Sequence, residues 1–202
     1  MREETVKLYT LTELTPEIQE KVIEKYSYIN VENDWWDSTI DMMREKIVEM
    51  CGIDIGQKIY FDLDRANTIA FRDIRVSDKK KLVAYLIAEM KKEDGKKYRE
   101  LSLKSRRTIS DILYDDLEIS FSNNKEDTYM ETTRFQPDGL LSDIFDGFAT
   151  LSNIHDFLFR DNIRHAVLDA LKGELDYAQS EAAIRETIEC NEFEFKEGGS
   201  RW

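Results

Sequence analysis

The sequence predicts an α+β domain in which amphipathic helices pack on antiparallel hairpins. Two observations point that way. Several stretches repeat their apolar residues with a helical period, while others alternate with a period of two and double back after a polar turn. A third observation excludes the main competitor, because no regular strand–helix–strand rhythm of a parallel sheet links these stretches. At 202 residues the chain is long enough to bury a substantial core, and no composition break divides it, so one domain over 1–202 is expected.

The elements follow in order. Val6, Leu8 and Thr10 alternate with polar residues and suggest a short opening strand. Thr15-Pro16-Glu17 reads as a helix start, with a hydroxyl cap, a proline at the first position and an acid in the first turn. Ile18, Val22, Tyr26 and Ile29 form its apolar stripe. A second helix is expected from Asn33-Asp34, with Trp36, Ile40, Met43, Ile47 and Met50 on one face and Gly52 as its stop. Ile59, Phe61 and Leu63, then Ile69 and Phe71, alternate on either side of a polar stretch and predict a hairpin. Ser77 is placed to cap a third helix carrying Leu82, Val83, Leu86, Ile87 and Met90, with Gly95 closing it. The pattern over 96–116 assigns no element. Strands are expected at Leu117–Phe121 and 127–135, helix from Leu140 to Tyr177, a last helix from Ser180-Glu181, and a short strand at Phe193 and Phe195.

Composition excludes several classes. Hydrophobic residues make up 41% of the chain, too many for a disordered acidic tail. No apolar run approaches the roughly 20 residues needed to span a bilayer, and Met1-Arg2-Glu3-Glu4 does not open a secretory signal. Cys51 and Cys190 lack metal-type spacing and read as reduced thiols, so a cytoplasmic location is expected.

Charge is the most informative feature. The net charge is −13, and it is sorted along the chain. Residues 1–64 hold fifteen acids against seven bases, and 138–197 hold fourteen against five. Between them, 65–137 hold sixteen bases against thirteen acids. Such an imbalance predicts repulsion of nucleic acid and anionic membrane and attraction to basic proteins.

Asp37, Asp41, Glu45 and Glu49 follow one another at i, i+4 on the second helix. Their carboxylates are about 6 Å apart along the axis, comparable to neighbouring phosphates on one strand. They suit a nucleic-acid mimic that occupies a basic channel. Taken alone they suit a solvated face better, since charged outer faces are ordinary and Arg44 and Lys46 lie beside them. Glu17, Glu20 and Glu24 form a weaker row, and Glu181, Glu186 and Glu189 lead a third acidic patch that continues through Glu192, Glu194 and Glu197. The segment Lys91–Arg107 is basic, with eight Lys/Arg, and pairs with acidic flanks in cis or in a homodimer, or else meets nucleic acid.

Catalytic chemistry has little material. Asp62 and Asp64, with Asp115-Asp116, offer a weak hard-cation site. Asp161, His165 and Asp169 make a poor zinc set, and His155 points elsewhere. No phosphate loop, dinucleotide fingerprint, nucleophile elbow or zinc-protease motif is present, and with two histidines and no nucleophile beside a base a triad has almost no raw material. Trp35-Trp36 and Phe145, Phe148, Phe157 and Phe159 read as core.

Two stretches carry a resemblance. The opening LYTLTELTPEIQEKVIEKYSYINVENDWW and the close SEAAIRETIECNEFEFKEGG resemble the two ends of a family of phage and prophage proteins, and IYFDLDR is loosely similar to its central hairpin. Members are often labelled antitoxins of a toxin–antitoxin stability system. The resemblance implies a small soluble phage protein expressed in a bacterial cell, and it transfers no catalytic residue. The segments 91–107 and 123–135 depart from the family pattern, so partner specificity is expected there.

Together these readings predict a non-enzymatic binding protein without a cofactor. Its expected partner is a basic bacterial protein, with no direct nucleic-acid contact and no membrane expected, and Asp37, Asp41, Glu45, Glu49, Glu181, Glu186 and Glu189 are the residues expected to make the contact. The expected role is inhibition of a defence or nucleic-acid-handling protein, of anti-CRISPR or anti-restriction type. The alternatives are an antitoxin for a basic toxin and a metal-dependent nucleotide hydrolase built on Asp62 and Asp64.

Overall fold

In the computed structural model, residues 6–31, 34–65, 67–104, 109–117, 119–123, 131–135, 148, 158 and 162–202 are described. The fold is α+β, as the sequence predicts, with helices accompanied by two-stranded antiparallel sheets. The chain divides into two compact units, one of residues 1–38 with 171–202 and one of residues 39–170.

The terminal unit contains a 3-10 turn (Leu11–Glu13) and α1 (Pro16–Lys25). It also holds the end of α5 (Arg164–Ala178) and all of α6 (Glu181–Cys190). Pro16 opens α1 as predicted, but the Thr15 hydroxyl makes no capping hydrogen bond. The Thr15 carbonyl accepts from the amides of Ile18 and Gln19 instead. At α6 the sequence cue is literal, because Ser180 Oγ accepts the Ala183 amide at 3.3 Å. Leu11, Leu14, Val22, Ile184, Ile188 and Phe195 form the core, with Tyr26 packed on Phe193 and Phe195. The two expected terminal strands reduce to isolated bridges, Tyr9 to Phe195 and Phe195 to Arg201. Gly199 lies over the core at φ +81, where a Cβ would meet the Ile18 and Val22 methyls at 2.9 and 3.0 Å. Asn30 ties the unit together, donating to the Ala178 carbonyl and accepting from the Thr187 hydroxyl.

The central unit begins within α2 (Asp37–Cys51). Its β1 (Ile53–Asp54) and β4 (Arg75–Val76) pair antiparallel and bracket a hairpin of β2 (Ile59–Asp62) and β3 (Thr68–Phe71). The hairpin is in the predicted place, with Ile59 opposite Phe71 and Phe61 opposite Ile69. Then come α3 (Lys79–Lys104) and α4 (Ile109–Asp116), which pack on each other, and the pair β5 (Ile119–Asn123) and β6 (Glu131–Phe135). Leu82, Val83, Leu86 and Met90 of α3 and Ile109, Ile112 and Leu113 of α4 are buried.

Three details differ from expectation. Asp78, not Ser77, caps α3, its Oδ1 accepting the Lys81 amide at 3.1 Å. Ser77 is occupied elsewhere, its amide and hydroxyl both donating to the Gly52 carbonyl at the end of α2. Gly95 does not close α3. The helix breaks one residue earlier, at Asp94 (φ −151, ψ 90), and restarts with Asp94 Oδ1 accepting from the Lys96 and Lys97 amides. Those hydrogen bonds lower the pKa of Asp94. The helix therefore continues through part of the unassigned 96–116 stretch, and α4 takes most of the rest. The helix expected from Leu140 is described from Arg164 onward, and Phe145, Phe157, Phe159, His155 and Asp161 lie outside the described residues.

Candidate functional site: an acidic helix face and an acid-rimmed groove

Helix α2 carries two parallel rows. Thr39, Met43, Ile47 and Cys51 are buried at strict i, i+4 spacing, joined by Ile40. Asp37, Asp41, Glu45 and Glu49 follow the same spacing two residues out of phase and are all exposed. Four residues overshoot a 3.6-residue turn by about 40°, so both rows slant around the helix in step and stay on opposite sides. This slant corrects one assignment. Met50, expected on the inner face, is 47% exposed, and Cys51 holds the last buried position before Gly52 turns the chain at φ +69. A Cβ on Gly52 would lie 2.1 Å from the Asp78 carbonyl oxygen, which is why glycine stands there.

The acidic row borders an open groove of about 420 Å³ lined by Asp41, Arg44, Glu45, Val48 and Asp54. Asp54 forms its inner wall. It is 6% exposed and fully engaged. Oδ1 accepts from Arg44 Nε and Nη2, both at 3.2 Å, and from the Gly56 amide at 3.0 Å, while Oδ2 accepts from Arg75 Nη2 at 2.9 Å. Burial works against the Asp54 charge, but the Gly56 amide, Arg75 and Arg44 outweigh it and lower its pKa. Arg44 also reaches Asp41 at 3.4 Å. The neutralising role the sequence assigns to Arg44 is thus directed mainly inward, to Asp54. The half-exposed Met42 and Met50 flank the row and add polarizable apolar surface to the acids.

Placement along the helix is informative. Asp37 lies in the first turn of α2, where the helix dipole favours a negative charge. Glu49 lies in the last turn, where the dipole opposes one, and no basic residue is present there to offset it. Helix α6 repeats the arrangement, with Glu181 in the first turn, Glu189 in the last and no terminal base. By contrast α1 has Glu17 at its start and Lys25 at its end. Glu49 and Glu189 are therefore not placed to stabilise the helices that carry them.

On α6, Glu181, Glu186 and Glu189 are all exposed. Glu181 pairs with Arg185 at 2.7 Å, and Arg185 also donates to Gln19. A second open groove, of about 730 Å³, runs between the 3-10 turn and the end of α6. Leu11 and Ile188 lie buried beneath it, the half-buried Phe193 has its ring under the Arg201 guanidinium, Glu189, Glu192 and Glu194 supply its acids, and Thr10 and Thr12 its hydroxyls. Glu13 does not contribute a free carboxylate there, because it accepts from the Thr10 amide and hydroxyl, and the amide bond chiefly lowers its pKa. Sequence reasoning singled out the acids of this groove but not the groove itself, which depends on the long-range bridge between Tyr9 and Phe195.

The proposed cation ligands have other positions. Asp62 Oδ1 accepts from the Asp64 and Arg65 amides and so shapes the turn after β2. Among the described residues, no group of three or more His, Cys, Asp or Glu is placed to hold a metal ion. Cys51 is buried, which raises its pKa, and Cys190 is exposed. No helix among the described residues is long and apolar enough to cross a membrane.

No protein-family model, curated protein or solved structure matches the chain.

Proposed function

We propose that this chain is an acidic inhibitor that binds and blocks a basic bacterial protein, a phage-encoded antagonist of a defence or nucleic-acid-handling complex. One observation carries the reading. Asp37, Asp41, Glu45 and Glu49 form an exposed row whose last member lies where the helix dipole disfavours it. A row kept at a cost to its own helix points to an external cation, and Lys/Arg side chains that normally hold phosphates are suitable partners. The flanking methionines supply apolar contact without demanding one rigid shape. No cofactor enters the reading, and the chain acts by occupancy.

The test is binding to the captured partner across a salt series. Carboxylates competing for a phosphate channel give affinity that falls steeply with salt. The quadruple substitution Asp37→Ala/Asp41→Ala/Glu45→Ala/Glu49→Ala abolishes that dependence and weakens binding at least tenfold. Salt-insensitive binding that survives the four substitutions would sink the mimic mechanism.

The resemblance to phage proteins labelled antitoxins favours one second reading, neutralisation of a basic toxin through the same acids. Rescue of cells from a neighbouring toxic gene product, with no effect on host defence, selects it over the first.

A further inference from the structure

We propose that the outer face of the first half of α3 binds the phosphodiester backbone of a nucleic acid. The inference is independent of the inhibitor reading, which rests on α2.

Successive residues of a helix turn by about 100°. Lys80, Lys81, Ala84, Ala88, Lys91 and Lys92 therefore share an arc of about 120° on α3, and all six are exposed. The opposite side is the buried one, formed by Leu82, Val83, Leu86 and Met90. The arc holds four cations, two small side chains and no acid, on a chain whose net charge is −13. Lys80 and Lys91 lie about 16 Å apart along the axis. Among the described residues, Lys80 and Lys81 have no side-chain partner. Lys92 pairs with Glu89 and keeps 72% of its side chain exposed. Lys91 lies over the Tyr98 ring, a contact that leaves its charge in place. Lys80 also stands in the first turn of α3, which has no acid and where the helix dipole opposes a cation. Like Glu49 on α2, it is not placed to stabilise its own helix.

The composition of the face selects the partner. Protein interfaces draw most of their affinity from aromatic, arginine or large apolar anchors and are depleted in lysine, and this arc has no such anchor. Phosphate contacts need none, because non-specific affinity for nucleic acid comes from cations that release counterions from the strand. Ala84 and Ala88 keep the middle of the face low, so a strand can approach between the flanking lysines. With no side chain suited to reading base edges, the contact is to the backbone and carries no sequence preference. The overall charge predicts long-range repulsion of nucleic acid, and this face is the local exception. At about 0.1 M salt the Debye length is about 10 Å, so the lysines in contact act while distant acids are largely screened.

Fluorescence anisotropy of a labelled single-stranded oligonucleotide, titrated with the full chain up to about 200 µM at about 0.1 M salt, covers the range of non-specific affinities and is the test. The expected result is binding that is equal for strands of different sequence. Four neutralised phosphates make it fall about fifty-fold between about 0.05 and 0.2 M salt. Ala84→Glu/Ala88→Glu places two acids within the face and weakens binding at least tenfold. Lys80→Gln/Lys81→Gln lowers the salt slope by about 1.4, and it carries the test alone if circular dichroism shows the first variant misfolded. Asp37→Ala/Asp41→Ala/Glu45→Ala/Glu49→Ala binds the strand at least as tightly as wild type, so failure of this face and failure of the acidic row are read separately. No binding over the whole range overturns the proposal, as does binding that survives the folded α3 variants. An oligoglutamate of matched charge that displaces the label as well as an unlabelled strand does also overturns it, by assigning the face to acidic proteins.

Discussion

Asp54 and Glu45 line the same groove beside α2 and have opposite surroundings. Asp54 is buried and receives hydrogen bonds from two arginines and the Gly56 amide. Glu45, on the α2 side of the groove, stands exposed in a row of like charges. The same functional group is thus used once to hold the fold and once to present charge. The difference shows that the acidity of this chain is not one property. A few carboxylates are structural, and those of the exposed rows face solvent.

Removing the structural member should have the largest effect. Asp54→Ala leaves Arg44 and Arg75 without their shared acceptor and the Gly56 amide without its own. The expected loss is about 3 kcal/mol, typical of a partly buried charged network, measured as a drop in the urea midpoint at unchanged slope. Glu45→Ala should stay within about 0.5 kcal/mol of wild type. If the two variants are equally destabilised, the division between structural and presented carboxylates is wrong.

Acid sharpens the same contrast. The pKa of Asp54 is lowered in the folded chain, so its contribution is complete above the unfolded carboxylate value of about 3.9 and is lost as pH falls through the folded value. Wild type should therefore lose stability in that acidic window more steeply than Asp54→Asn, which carries no titrating group there. Parallel acid limbs for the two proteins would show that Asp54 is not the group responsible.

How much of this was legible in the sequence depends on the range of the interaction. Local signals in the sequence match the structure, such as Pro16 opening α1, Ser180 capping α6 and the alternation of Ile59–Asp62 with Thr68–Phe71. The acidic row was legible too, because i, i+4 spacing fixes exposure once one face is buried. Two of the readings that failed needed a partner from further along the chain. Ser77 looks like a helix cap until the Gly52 carbonyl is seen to take its hydroxyl, and Arg44 looks like a neutraliser of the row until Asp54 arrives ten residues later. The α6 groove was invisible for the same reason, since Leu11 and Ile188 meet only through the folded terminal unit.

Helix α6 and its cap offer a smaller version of the comparison in two residues six positions apart. Ser180 accepts the Ala183 amide, whereas Glu186 touches solvent. Ser180→Ala should cost about 1 kcal/mol, and Glu186→Gln should leave the thermal midpoint within error. A cost at Glu186 comparable to that at Ser180 would mean that the α6 acids are structural after all.

The smallest effect separates the two ends of the acidic row itself. Asp37 and Glu49 are both exposed carboxylates on α2, but one lies in the first turn and the other in the last. Asp37→Asn removes a favourable interaction with the helix dipole and should destabilise by about 0.5 kcal/mol, while Glu49→Gln removes an unfavourable one and should stabilise by a similar amount. Loss of the repulsion between Glu45 and Glu49 adds a few tenths in the same direction. Both changes should shrink as salt is added, since exposed charges are screened. A stabilising Glu49→Gln that also weakens partner binding would show that this glutamate is retained against the stability of its own helix, which is what a presented charge requires. If Glu49→Gln instead destabilises, the carboxylate has a structural partner, and the row loses the member that most clearly distinguishes it from an ordinary solvated face.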